Sequence, residues 1–267
     1  NKLLHLKKKN FLNLPRPSTD HMASMSGKYS KLMTLVYKNS HFPPTSDNVL
    51  QLLKDGKSTF EAIFSALEQA QHKIHLQYYI FEEGELADKL LQLFEVKISQ
   101  GVEIRLTKIG VEVYPFLPFK FGRFLSSLNY RNHRKIIVID SAIAFTGGIN
   151  ISDKYLKGDD TLGKWHDMHL KITGPAASHL DYVFAMDWYL VSQETILPQV
   201  VTLKTNSETT RKLVQIVSGG PDDDFPSLEQ AYFTMINKAK KYLYITNPYV
   251  IPGQAIMQAL QTAALCG

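Results

Sequence analysis

The amino-acid sequence predicts an α/β fold of layered helices and strands, and three observations predict it. Helical and strand periods alternate from Ser58 to Leu106, a run of β-branched residues from Ile136 to Ile139 leads to a Gly-Gly pair, and the opening helix, strand and helix recur near the C-terminus. Elements alternating in this way bury the faces of a sheet under helices.

In chain order, residues 1–42 mix Lys, Ser, Pro and His without a sustained period and read as a poorly ordered tail with one short helix around residues 31–37. From Ser58 to Gln71 the apolar positions Phe60, Ile63, Phe64, Leu67 and Ala70 recur at three and four, which predicts a helix capped by Ser58. Lys73 to Phe81 is rich in β-branched and aromatic residues and predicts a strand. Leu86 to Ile98 returns to helical spacing, and a second strand is expected at Val102 to Leu106. Val111 to Phe116 also reads as a buried strand, but only Thr107 to Gly110 separate the two. A parallel crossover takes a dozen or more residues, so the two either pair as a hairpin or lack a helical connection; the second alternative is preferred.

Ala62 to Phe81 can be laid on Ala231 to Val250 at a constant offset of 169, with Ile63 on Tyr232, Phe64 on Phe233, Ile74 on Leu243 and Leu76 on Ile245. The following helix, Leu90 to Gly101, then falls on Ile256 to Gly267. The expected organisation is a tail over 1–42, one nearly complete layered domain over 43–205, and a truncated second copy over 206–267, with Tyr242 to Val250 as an open-edged strand.

The excess of 30 Lys and Arg over 25 Asp and Glu favours anionic partners, but it does not choose between a lipid surface and nucleic acid. Cys266 is the single cysteine, so no internal disulfide forms. No uninterrupted apolar run approaches 18 residues, and the chain reads as soluble or peripheral to a membrane. The pairs His72 and His75, and His166 and His169, lie in strand-like text, where their spacing sends the rings to opposite faces and argues against a metal site. Asp222 to Asp224 reads as a solvated loop. The aromatics Tyr114, Phe116, Phe119, Phe121 and Phe124 read, on the residues alone, as core.

The chemistry is concentrated between Asn132 and Asn150. Residues two apart on a strand share a face, so His133 and Lys135 project together and meet one ligand. Imidazole attacks phosphorus and later leaves it near neutral pH, while Lys135 and Asn150 suit non-bridging phosphate oxygens. Taken alone, His133 reads as an outward polar residue on a half-buried strand, and Gly147-Gly148 as a hairpin turn. The joint spacing reverses that reading: His133-x-Lys135, four residues, Asp140, six residues, then Gly147-Gly148-x-Asn150 matches the signature of the phospholipase D superfamily. Leu128 to Asn132, Asp153-Lys154-Tyr155-Leu156, Trp165 to Ala176, Asp187-Trp188-Tyr189 and Gln215 to Pro221 further resemble its bacterial cardiolipin synthase branch, over roughly Phe42 to Gly267.

The resemblance implies a phospholipase D-like layered α/β domain and two similar halves that share one active site. It makes His133 the nucleophile that becomes phosphohistidine, Lys135, Asn150, Gly147 and Gly148 the phosphate-binding group, and Asp140 a supporting carboxylate. It requires no metal or cofactor, and it offers Tyr114, Phe116, Phe119, Phe121 and Phe124 a lipid-facing entrance as an equal alternative to a core. The implied reaction moves a phosphatidyl group from one phosphatidylglycerol to another, giving cardiolipin and glycerol at the cytoplasmic side of the bacterial membrane. The expected partners are anionic phospholipid, a membrane surface, and a second phospholipase D-like half or a homodimer partner, with nucleic acid the weaker candidate. No second His-x-Lys motif is reached in the repeat, which ends at Gly267 opposite Gly101. A dimeric phosphodiesterase or nuclease of single-motif chains and a catalytically silent fragment therefore stand as alternatives.

Overall fold

The computed structural model describes residues 27–108, 132–159, 161, 163–199, 212–220, 225–247 and 249–266. The expected strand at Val111 to Phe116, its connection from Leu106, the aromatics from Tyr114 to Phe124 and the loop Asp222 to Asp224 lie outside these residues. The chain divides into two compact units, whose described parts are 45–214 for one and 27–44 with 215–266 for the other.

The larger unit is built on a seven-stranded sheet, ordered β3-β2-β4-β5-β6-β1-β7. Its strands are β1 (Thr45–Leu53), β2 (Lys73–Tyr78), β3 (Glu103–Lys108), β4 (Lys135–Ile139), β5 (Ile143–Gly147), β6 (His169–Thr173) and β7 (Lys212–Val214). β2 and β3 pair in parallel across a helical crossover, and all other neighbouring strands are antiparallel. Alternation decides the two faces. Ile74, Leu76 and Tyr78 of β2, Ile137 and Ile139 of β4 and Phe145 of β5 join one core with Phe60, Ile63 and Leu67 of α2 (Gly56–Glu68) and Leu90 and Phe94 of α3 (Glu85–Ser99). The opposite face of β2 presents His75 and Gln77 to α5 (Pro175–Ser192), where the His75 ring stacks on Phe184 at 4.5 Å.

α2 starts earlier than its apolar period suggests. Its cap is Asp55, whose Oδ1 accepts from the Ser58 amide at 2.7 Å, so Ser58 is the third helical residue and not the cap. A carboxylate at this position satisfies an amide that has no partner within the helix and faces the positive end of the helix dipole.

β4 and β5 are joined by three residues, Asp140 to Ala142; Asp140 and Ser141 both have positive φ, 51° and 54°, and the Ala142 amide donates to the Ile139 carbonyl at 3.0 Å. This turn suits the right-handed twist of the flanking strands. The hairpin turn at Gly147-Gly148 is not formed; β5 instead continues to Gly147 and pairs with β6. Ser141 is held by its hydroxyl donating to Asp181 at 2.5 Å. Burial alone would raise the pKa of that carboxylate, but hydrogen bonding and charge from His75 and the charge of Lys73 hold it below the ordinary range.

In the smaller unit, residues 30–40, read as part of a tail, form α1 (Ser30–Ser40), which buries Met33 and Val36 at helical spacing. α6 (Ser227–Lys238) and α7 (Gln254–Cys266) complete its helices. Shifted by 169, α2 maps to 225–237 and α3 to 254–268, close to α6 and α7. The strand does not follow. β2 maps to 242–247, and these residues are irregular, with Leu243, Ile245 and Tyr249 exposed. A helix closes its own hydrogen bonds, whereas a strand needs a neighbour, and the described residues supply none to this segment.

Candidate active site

The described site gathers at the Tyr78 end of β2. Tyr78 lies opposite Lys135, Gly147 opposite His169, and His169 opposite Leu53. One step beyond the pair Ile136–Thr146, Lys135 falls beside Gly147, so Lys135 and His169 flank a glycine on one face of the sheet. A Cβ on Gly147 would sit 2.7 Å from His169 Nδ1. The missing side chain is therefore what lets the His169 imidazole lie over the strand near Lys135. A Cβ on Gly148 would overlap the Asp167 carboxylate. The glycine pair permits the close approach of 167–169.

His133 stands just before β4 and is exposed. The Lys135 ammonium donates to His133 Nδ1 at 3.0 Å and to the His133 carbonyl at 2.9 Å. The Tyr79 ring packs against both, 4.5 Å from the His133 ring and 5.3 Å from Lys135 Nζ. Asn150 is buried beside the same loop; its Oδ1 accepts from the Ile80 amide at 3.2 Å and its Nδ2 donates to the Tyr155 hydroxyl at 3.2 Å.

The surroundings favour neutral imidazoles. Burial and then the charge of Lys135 push His133 below the ordinary histidine value, and the same two causes take the more deeply buried His169 down to about 4. Burial lowers Lys135 to about 8, against the pull of Asp167. Near neutral pH the site thus offers a cation beside two uncharged imidazoles, an arrangement able to bind an anion and attack it. Both His169 ring nitrogens lack a hydrogen-bond partner among the described residues.

Asp140 is not part of this cluster. It lies at the other end of β4, where its carboxylate accepts from the amides of Gln71, His72 and Lys73 at 2.8–2.9 Å. His133, Lys135 and Asn150 are brought to one end of the sheet, and Gly147 and Gly148 act there by making room. His75 turns to Asp181 while His72 is exposed, and His169 is buried while His166 is exposed, so neither pair converges.

The stretches 80–86 and 150–157 lie beside the site and are tied together. Ile151 donates to the Ile80 carbonyl and Glu82 to the Ile151 carbonyl, and Ser152 Oγ donates to Glu82 at 2.5 Å. Asp153 accepts from the amides of Glu85 and Leu86 at 3.1 and 3.0 Å, capping α3 from outside, and Gly84, at φ 154°, has no room for a Cβ beside that carboxylate. α4 (Lys154–Lys157) adds an ion pair from Lys157 to Glu85.

Sequence reasoning missed Tyr79 and gave no role to Asp167 or His169. A signal for His169 was present, since His169-Leu170-Lys171 repeats the His-x-Lys spacing, although without the later Asp and Gly-Gly.

No family model matches the chain. Among curated proteins it is 37% identical over 272 residues to a cardiolipin synthase of Geobacillus thermodenitrificans, covering 95% of this chain and 54% of the relative. It is 36% identical over 267 residues to one of Halalkalibacterium halodurans, covering 93% and 53%. A probable cardiolipin synthase of Bacillus subtilis is 31% identical over 270 residues, covering 94% and 54%. The chain spans about half the length of these relatives. Among solved structures, phosphatidylserine synthase of Haemophilus influenzae aligns with a TM-score of 0.54 at 14% identity, over 98% of this chain and 63% of that one, a likeness of fold. Over most of its length the chain is thus similar in sequence to cardiolipin synthases, and it shares a mixed α/β fold with the phosphatidylserine synthase.

Proposed function

We propose that this chain supplies the nucleophilic half of a phosphatidyl-transfer site that converts two phosphatidylglycerol molecules into cardiolipin and glycerol. The observation that carries the reading is the placement of His133 against Lys135 and Tyr79, with Asn150 at the same sheet end. In this reading the phosphate of the first lipid draws the Lys135 ammonium onto its oxygens, and so frees the His133 ring. A ring nitrogen attacks phosphorus, the N–P bond forms, and the P–O bond to the glycerol headgroup breaks. The departing glycerol oxygen takes a proton from an acid on a second phospholipase D-like half or a partner copy. The primary hydroxyl of the second lipid then attacks phosphorus, returns its proton to that group, and breaks the N–P bond. Lys135 and Asn150 stabilise the charge on the non-bridging oxygens. The mechanism uses no metal or cofactor.

The place of action is the cytoplasmic face of a bacterial membrane, approached peripherally by these residues. No helix among the described residues is long and apolar enough to cross a bilayer. The test is to incubate the protein encoded by the full reading frame with vesicles of phosphatidylglycerol labelled at phosphorus. An acid-labile, base-stable adduct on His133, absent from His133→Ala, is expected. Turnover without an adduct, or an adduct that survives His133→Ala, overturns the assignment, and a protein that neither forms an adduct nor releases glycerol overturns the function.

A further inference from the structure

We propose that Asp187, on α5, is a positioning residue for His133: its carboxylate grips the residues on both sides of the nucleophile. The inference rests on the phosphatidyl-transfer reading for the role of His133, but its geometry is independent of that reading.

One oxygen, Asp187 Oδ2, accepts from Asn132 Nδ2 at 2.9 Å, from Arg134 Nη1 at 2.7 Å and from Gln77 Nε2 at 2.8 Å. Asn132 Oδ1 in turn accepts from the Arg134 amide at 3.0 Å, closing a short turn around His133. The paired register of β2 and β4 begins at Tyr78 and Lys135, so residues 132–134 lie beyond the ladder and need some other restraint. Alternation explains why α5 can supply it. Arg134, Ile136 and Val138 share one face of the strand, whereas His133, Lys135 and Ile137 share the other. A carboxylate beneath the sheet thus fixes the backbone that presents His133 above it, without touching the substrate. Asp187 is 5% exposed, and charge-assisted bonds to a buried carboxylate are short and directional.

Release of this grip would let the His133 ring move away from Lys135 and Tyr79, the two groups that face it among the described residues. The test measures two quantities in the same protein: the NMR titration of the His133 ring, and the rate of adduct formation with phosphatidylglycerol vesicles. For Asp187→Ala the titration midpoint is expected to rise toward the ordinary histidine value as the influence of Lys135 is lost. The rate at saturating lipid should fall about tenfold or more, with half-saturation changed by less than about twofold. Asp187→Asn keeps an acceptor oxygen and should recover part of both effects. Asn132→Ala, which removes one of the three bonds at a half-buried site, should shift the titration in the same direction by less, and it decides the matter if Asp187→Ala does not fold.

A folded Asp187→Ala with unchanged titration and rate overturns the proposal. A titration that moves in a protein forming no adduct upholds the positioning and fails the transfer reading. An adduct that forms in the wild type, with a titration that stays put in the variants, does the reverse.

Discussion

At the His133 end of β4 an imidazole, an ammonium and a second imidazole meet with few partners among the described residues, whereas seven residues along the same motif the Asp140 carboxylate accepts three amides of residues 71–73. Polar groups left partly unsatisfied keep their interactions for a ligand, and a saturated carboxylate spends them on the fold. One sequence signature therefore holds a chemical end and a structural end, and its fixed spacing is the length of a strand.

The largest effect should come from the chemical end. His133→Ala is expected to lower adduct formation by at least about a thousandfold, while changing stability by less than about 0.5 kcal/mol because the side chain is exposed. Parallel adduct assays and denaturant titrations check this, and a large stability loss would break the contrast between the two ends.

The pH dependence sharpens it. His169 titrates at about 4 in the folded chain and near 6.5 when unfolded, so the unfolded chain binds more protons between these values. Its contribution, on the order of 3 kcal/mol, is complete above pH 6.5 and is lost as the pH falls to about 4. Denaturation of the wild type and of His169→Gln across this window should differ in slope. Adduct formation should rise as His133 loses its proton, below the ordinary histidine range, and decline above about pH 8 as Lys135 loses its charge.

At the structural end, Asp140→Ala removes three accepted hydrogen bonds and places a less tolerant residue at positive φ, at a cost of about 2–3 kcal/mol. The adduct rate per folded molecule should not change; a selective fall in that rate would give Asp140 a chemical role. The smallest effect is expected from Gly148→Ala, about 1–2 kcal/mol from the overlap with Asp167, accompanied by a shift in the Lys135 titration.

The pairing of His133 with Lys135 was legible because alternation on a strand is a local rule, and α6 and α7 were legible because helical spacing is local too. The strand at Tyr242 to Val250 was not, since its pattern resembles that of β2 but pattern alone supplies no neighbour. α5 hides its period for another reason: it is buried nearly all round, so Leu180, Tyr182, Val183, Phe184 and Ala185, buried almost in succession, mark no single face. Nothing in that apolar run marks a partner for Asp181 or Asp187. Their partners, Lys73 and His75 for one and Gln77, Asn132 and Arg134 for the other, are distant in sequence and are brought near only by the sheet. The spacing from His133 to Asp140 likewise tells how far apart two residues stand, not what either one meets.

The capping of α3 by Asp153 bears on how the border of the site can move. The amides of Glu82, Glu85, Leu86 and Ile151 are bonded across 80–86 and 150–157, so neither stretch can swing out without breaking bonds to the other. These amides should exchange with solvent as one cooperative group, with a common protection factor and a common response to denaturant. Asn150 then rides on a rigid rim rather than a flap. A ligand passing this rim would meet an edge already set, and any breathing that admits it would have to occur elsewhere around the site.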